Sequence, residues 1–139
     1  MRMDMVGLTM LAALASAAVN PDIALGHWRT ETRHGIVEIE RCGASICGKL
    51  VGSDGLKTNP NLLDVNNKDV SLRGRRMMNL QFMGGFTRGD GQWTGGTIYN
   101  GDDGGTYKAT ITPADADHLK VRGCIVWPLC KTQIWVRVR

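Results

Sequence analysis

The sequence has no long apolar run. Its most apolar stretch, about residues 5–14, is too short for a bilayer span of about 20 residues. It has no block of like charge either. Lys and Arg (17) exceed Asp and Glu (13) for a net charge of +4, yet no five basic residues stand together. A mild, dispersed excess of this kind is an ordinary soluble surface rather than a polyanion-binding tract. Nucleic acid is excluded on the same ground, since no aromatic platform for stacking single-stranded bases is present. There is no Gly-x-Ser-x-Gly elbow. The glycine-rich run 101–105 lacks a following Lys-Ser/Thr and contains two acids, so it cradles no phosphate. His27, His34 and His118 are scattered, which argues against a metal centre. Asp90, Asp102 and Asp103 read as solvated turn residues rather than a calcium site. Repeats, linkers and low-complexity tracts are also missing, so the 139 residues make one domain. With no nucleophile–base pair, no metal cluster and no cofactor fingerprint, the chain is expected not to be an enzyme and to need no cofactor.

What is present is turn chemistry between short β-prone runs. Eighteen glycines and few long helical patterns point to an all-β fold. The clearest unit is 92–113, where two runs rich in Thr, Ile, Tyr and Trp flank Gly101-Asp102-Asp103-Gly104-Gly105. Gly and Asp tolerate the positive φ that tight reversals demand. The pattern puts Trp93, Thr97 and Tyr99 on one face of the first strand. It puts Tyr107, Ala109 and Ile111 on one face of the second. Further strands are predicted over 26–32, 36–41, 46–51, 77–82, 118–125 and 132–139. Eight short strands joined mostly by hairpins must hide two edges, and closing the sheet does so. The expected architecture is therefore an eight-stranded antiparallel up-and-down barrel, with room for side chains or one small ligand. Residues 52–76 break the rhythm. This polar segment has no sustained period, with Leu62-Leu63 and Val70-Ser71-Leu72 as candidate anchors.

The start of the chain has a different character. Arg2, the apolar stretch and Ala15-Ser16-Ala17 have the layout of a secretory leader, expected over 1–19, with the folded domain over 20–139. That predicts a periplasmic or secreted protein without a transmembrane helix. Four cysteines fit an oxidising compartment. They allow three pairings. Cys42 and Cys47 bracket one turn and Cys124 and Cys130 another, so the expected bonds are 42–47 and 124–130. A zinc site would more usually have closer spacing.

Several short motifs recur in a fixed order: Gly26-x-Trp28, Cys42 with Cys47-Gly48-Lys49-Leu50, Asp64-x-Asn66-Asn67, Leu72-Arg73-Gly74-Arg75 and Gly85-Phe86. Trp93-x-Gly95-Gly96-x-Ile98-Tyr99, Gly105-x-Tyr107, Leu119-x-Val121-x-Gly123 and Gln133-x-Trp135-x-Arg137-Val138 follow. The ordered set resembles a bacterial family of small exported domains of unknown function with a lipocalin-like barrel. The resemblance implies the fold, export and binding of a small, apolar or amphipathic molecule, and no reaction. Asn100-Gly101 stands where that family usually has Asp-Pro, and Arg76-Met77 where it has Pro-aliphatic. Gly26-x-Trp28 and the terminal Arg137 also resemble the lipocalin signature, which implies that Arg137 covers Trp28 and closes the barrel's base. Trp93, Tyr99 and Tyr107 are expected to pack the core or to form the wall of a ligand site, and Asp64 is expected to pair with Arg75, fixing the 52–76 loop, or to act with it as the gate for a ligand. The alternative function is a solid barrel acting as an interaction module for a cell-envelope protein.

Overall fold

The computed structural model describes residues 19–126 and 128–139. The expected leader lies almost wholly outside the described residues. The chain forms β1 (Gly26–Arg29), β2 (Ile36–Cys42), β3 (Ser45–Gly52) and a short helix α1 (Asp54–Thr58). β4 (Gln81–Gly84), β5 (Thr87–Arg88), β6 (Trp93–Asn100), β7 (Gly105–Asp115), β8 (His118–Val126) and β9 (Leu129–Arg137) follow. Every pairing is antiparallel, in the order β4-β3-β2-β1-β9-β8-β7-β6-β5. An additional β4–β6 pairing closes the ring. With β5 only a two-residue extension beside β6, eight strands make the wall, as the sequence predicts.

The walls alternate as half-buried strands must. Val37 and Ile39 point inward from β2; Glu38 and Glu40 point outward toward Lys49 on β3. Trp28, Ile46, Met83, Phe86, Ile111, Leu119, Val121 and Trp135 complete the interior. Two glycines show how full it is. A Cβ on Gly48 would sit 2.4 Å from Met83, and one on Gly96 would sit 2.4 Å from the Phe86 ring. Those side chains occupy the space the glycines leave, so the lower barrel is solid.

The base is sealed by a 3-10 turn, Pro21–Ala24. Asn20 caps it by accepting the Asp22 N–H at 2.9 Å, and Pro21 supplies the fixed φ of a helix start. Two core indoles donate to this turn, Trp28 Nε1 to the Ala24 carbonyl and Trp93 Nε1 to the Pro21 carbonyl, each at 2.9 Å. Arg137 lies over the Trp28 ring at 4.3 Å from its centroid, the packing that the lipocalin signature implies. Its guanidinium also donates to the carbonyls of Ile23 (2.7 Å), Leu25 (3.0 Å) and Ala116 (2.8 Å). Asp22 gathers Arg41 and Arg88 beside the turn.

Several expectations need correction, among them the first and last strands, which are Gly26–Arg29 and Leu129–Arg137 rather than 26–32 and 132–139. The fourth strand is Gln81–Gly84, not 77–82, because residues 77–80 are spent crossing from the loop back to β3. Trp93 and Tyr99 do not share a face. Gly95 adopts φ +69 in a bulge, so the inward set is Trp93, Gly96 and Ile98, and Tyr99 points outward. Leu63, Val70 and Leu72 are exposed rather than anchors; Leu56 of α1, 2% exposed, is the buried apolar side chain of that segment.

Candidate functional site

All the longer connections except the base turns meet at one rim of the barrel. The 52–76 segment is ordered there by its own polar groups. Asp64 is its hub and is buried at 1% exposure. Its Oδ1 accepts the Tyr99 hydroxyl at 2.6 Å; its Oδ2 accepts Asn67 Nδ2 at 2.8 Å and Arg75 Nε at 2.9 Å. Backbone pairing brings Arg75 there, since the Asp64 N–H donates to the Arg75 carbonyl and Leu63 bridges Arg76. The Arg75 guanidinium also lies 5.1 Å from the Tyr99 ring centroid. Burial alone favours the neutral acid, but the hydrogen bonds from Asn67, Tyr99 and Arg75 outweigh it and hold the Asp64 carboxyl below its usual range. Burial, then the Asp64 acceptor, pushes the Tyr99 hydroxyl up to about 12. A carboxylate committed to three donors is poorly placed to take a proton from a substrate, so this cluster is a clasp for the loop.

The clasp docks on the β6–β7 turn. Asn66 Nδ2 donates to the Gly101 carbonyl at 3.2 Å. Gly104, at φ +70, lies so close that a Cβ would be 2.0 Å from the Asn66 carbonyl oxygen. Tyr107 shares the inward face with Ala109 and Ile111, but it sits at the rim, where its hydroxyl donates to Asp103. The hydrogen bond from Tyr107, opposed by burial, keeps Asp103 below the usual carboxylate range. The structure thus brings together Asp64, Arg75 and Tyr99, leaves Tyr107 on its own carboxylate, and sets Trp93 far below on the base turn.

A different set of residues forms a concavity. A groove of about 680 Å³ runs along the outer face of β1–β3 beneath α1. Ile36, Val51, Leu56 and Met78 give it apolar walls; Arg29, His34, Asp54 and Lys57 ring them. Ser53 builds it, capping α1 by accepting the Leu56 N–H at 3.1 Å. The Asp54 N–H donates to the Arg33 carbonyl at 3.0 Å, which ties the helix to the β1–β2 turn. Arg33 and His34 take left-handed φ of 54° and 49° there, and His34 Nδ1 meets Asp54 Oδ2 at 2.9 Å. Ser53 followed by Asp54 is a helix-start signal. It was the available sequence clue to this groove, hidden within a segment that otherwise lacks periodicity. A smaller concavity of about 260 Å³ lies along β7–β8 near Lys108 and Cys124. Among the described residues no group of His, Cys, Asp and Glu is arranged to hold a metal.

The cysteines pair as expected, Cys42 with Cys47 and Cys124 with Cys130. Residues 26–137 match the family described as "Uncharacterized protein conserved in bacteria (DUF2147)". The chain belongs to that family. The DUF2147 barrel is also similar to a solved structure described as "Protein HP1028 from the human pathogen Helicobacter pylori belongs to the lipocalin family". The TM-score is 0.74 at 20% identity, over 83% of this chain and 82% of that chain. At that identity the likeness establishes the lipocalin-like fold alone. A search of curated proteins found no match.

Proposed function

We propose that this DUF2147 protein is an exported carrier or sensor of a small, partly apolar molecule, held in the rim groove rather than in the barrel interior. The groove carries the reading. Its volume of about 680 Å³ lies within the roughly 300–1,000 Å³ of ordinary ligand sites, and apolar walls ringed by a few polar groups are their usual chemistry. A lipocalin-like barrel with a packed lower core gives such a groove a rigid back wall. Export is supported by the two disulfides, which persist in oxidising compartments. No reaction is assigned. The Asp64–Arg75–Tyr99 clasp serves by holding the long segment, and with it the placement of α1, rather than by touching the ligand.

The test is a titration with anilinonaphthalene sulfonate, a dye that brightens in apolar sites. The wild-type protein should bind it saturably, and Ile36→Glu should weaken binding by about tenfold. Equal binding by both proteins would remove the groove from the account.

A further inference from the structure

The wall between β1 and β9 is incomplete. β9 runs from Leu129 to Arg137, but β1 pairs with it only at Trp28↔Arg137 and Arg29↔Val136. Above Arg29 the chain turns away, with the Thr30 N–H donating to the Gly35 carbonyl at 2.8 Å. The upper part of β9 therefore has a strand neighbour on one side only among the described residues.

The direction of its backbone groups follows from the printed contacts of its lower end. The Arg137 N–H donates to the Asp117 carbonyl, on the β8 side, at 2.8 Å. The Val138 N–H donates to the His27 carbonyl, on the β1 side, at 2.9 Å. Alternation along the strand then points Ile134, Thr132 and Cys130 toward the open side. The disulfide gives the same parity. Cys124 and Cys130 face each other with Cα atoms 4.0 Å apart, the close spacing of a pair that exchanges no backbone hydrogen bonds. One open-side donor is already capped: the Ile134 N–H donates to Glu31 Oε1 at 2.8 Å. Glu31 occupies the place where the next β1 residues would have paired. Cys130 turns its N–H to the Pro128 carbonyl at 2.9 Å. Thr132 keeps both backbone groups on the open side.

We propose that this edge accepts an extended segment of another protein, which continues the line of β1 and pairs antiparallel to β9 around Thr132. The side-chain surroundings specify the segment. On the outer face Ile134 and Val136 are 38% and 45% exposed, so β-branched or other apolar residues at alternate positions have neighbours to pack on. Among the described residues Arg29 and Lys120, on that same outer face, and Lys131, on the other, have no carboxylate partner, while Glu31, the nearby acid, is already engaged. The segment therefore combines apolar and acidic residues. A second copy of this chain fits less well, because it would set these cations against themselves.

The experiment uses nitrogen-15 NMR of the full chain and two short blocked peptides, one alternating Glu and Val and the other Lys and Val. In the free protein the Thr132 amide should exchange quickly with solvent, unlike its neighbours paired to β8. The Glu–Val peptide should shift and protect Thr132, and bind about tenfold more tightly than the Lys–Val peptide. Thr132→Pro, which removes the donor at an exposed edge, should abolish binding. Should that variant not fold, Lys120→Glu combined with Lys131→Glu should reverse the preference between peptides. A slowly exchanging Thr132 amide, equal affinity for both peptides, or shifts centred elsewhere would overturn the proposal. Shifts at Thr132 that grow with protein concentration alone would give the edge to a second copy and overturn it equally.

Discussion

Replacing Arg137 by Ala should cost about 3 kcal/mol of folding stability. The side chain is 19% exposed and joins the last strand to both the N-terminal turn and the β7–β8 turn. The guanidinium over the indole contributes about 0.5–2 kcal/mol. Each charged hydrogen bond is worth roughly 1.5–3 kcal/mol in isolation. The three carbonyls share one donor group near the surface and regain water when it leaves, so the sum is well below the separate values. About 3 kcal/mol is a large share of the roughly 5–15 kcal/mol that holds a domain. For a chain of this size it lowers Tm by about 10 °C or more. Arg137→Lys should lose about half as much. It retains a charge near Trp28 but cannot fork to the carbonyls of Ile23 and Leu25. Urea unfolding followed by tryptophan fluorescence reads both effects, with Trp28 itself a reporter. A loss below about 1 kcal/mol for Arg137→Ala would refute the reasoning, because the base would then be held by the packed core alone.

Three further outcomes are expected. The Asp64 carboxyl titrates below its unfolded value of about 3.9, so its contribution is full above about pH 5 and disappears as pH falls through the folded value. Acid titration of the urea midpoint should therefore fall more steeply for the wild type than for Asp64→Asn, which starts about 1–3 kcal/mol lower at neutral pH; parallel curves would contradict the clasp. Gly104→Ala should cost about 2 kcal/mol or more and speed amide exchange around Asn66, since the added carbon meets the Asn66 carbonyl at a φ of +70°. A variant as stable and as protected as the wild type would show that the loop is not docked there. Reduction should cost about 2 kcal/mol for each disulfide, the short-loop value, with the strand pairing retained in circular dichroism; a reduced chain without β-structure would give the bonds a larger role.

The barrel was legible because its causes are local. Alternation in Val37-Glu38-Ile39-Glu40 and the glycine-rich turns specify strands, and eight hairpin-linked strands leave closure as the way to hide the edges. The disulfides followed from the same hairpins. The faces of β6 were misread because one bulge residue, Gly95, inverts everything after it, and a period-two reading cannot see where the extra residue falls. Asp64 and Arg75 were legible as a pair, but their third partner, Tyr99, was expected in the interior. The groove was missed because it joins Arg29, Ile36, Val51 and Met78, which are distant in sequence, and its apolar residues lie on outer faces where polar ones are expected. The open edge of β9 depends on where β1 stops, and the predicted strand over 26–32 ran three residues too far.

The central claim is that the folded protein carries a small, partly apolar molecule in the groove under α1. Native mass spectrometry of the protein purified gently from its native cells reads this directly. The account predicts an adduct of small-molecule mass on the wild-type protein, lost from Ile36→Glu while the fold is retained. A bare mass for the wild type under those conditions, or an adduct that survives Ile36→Glu unchanged, would contradict it.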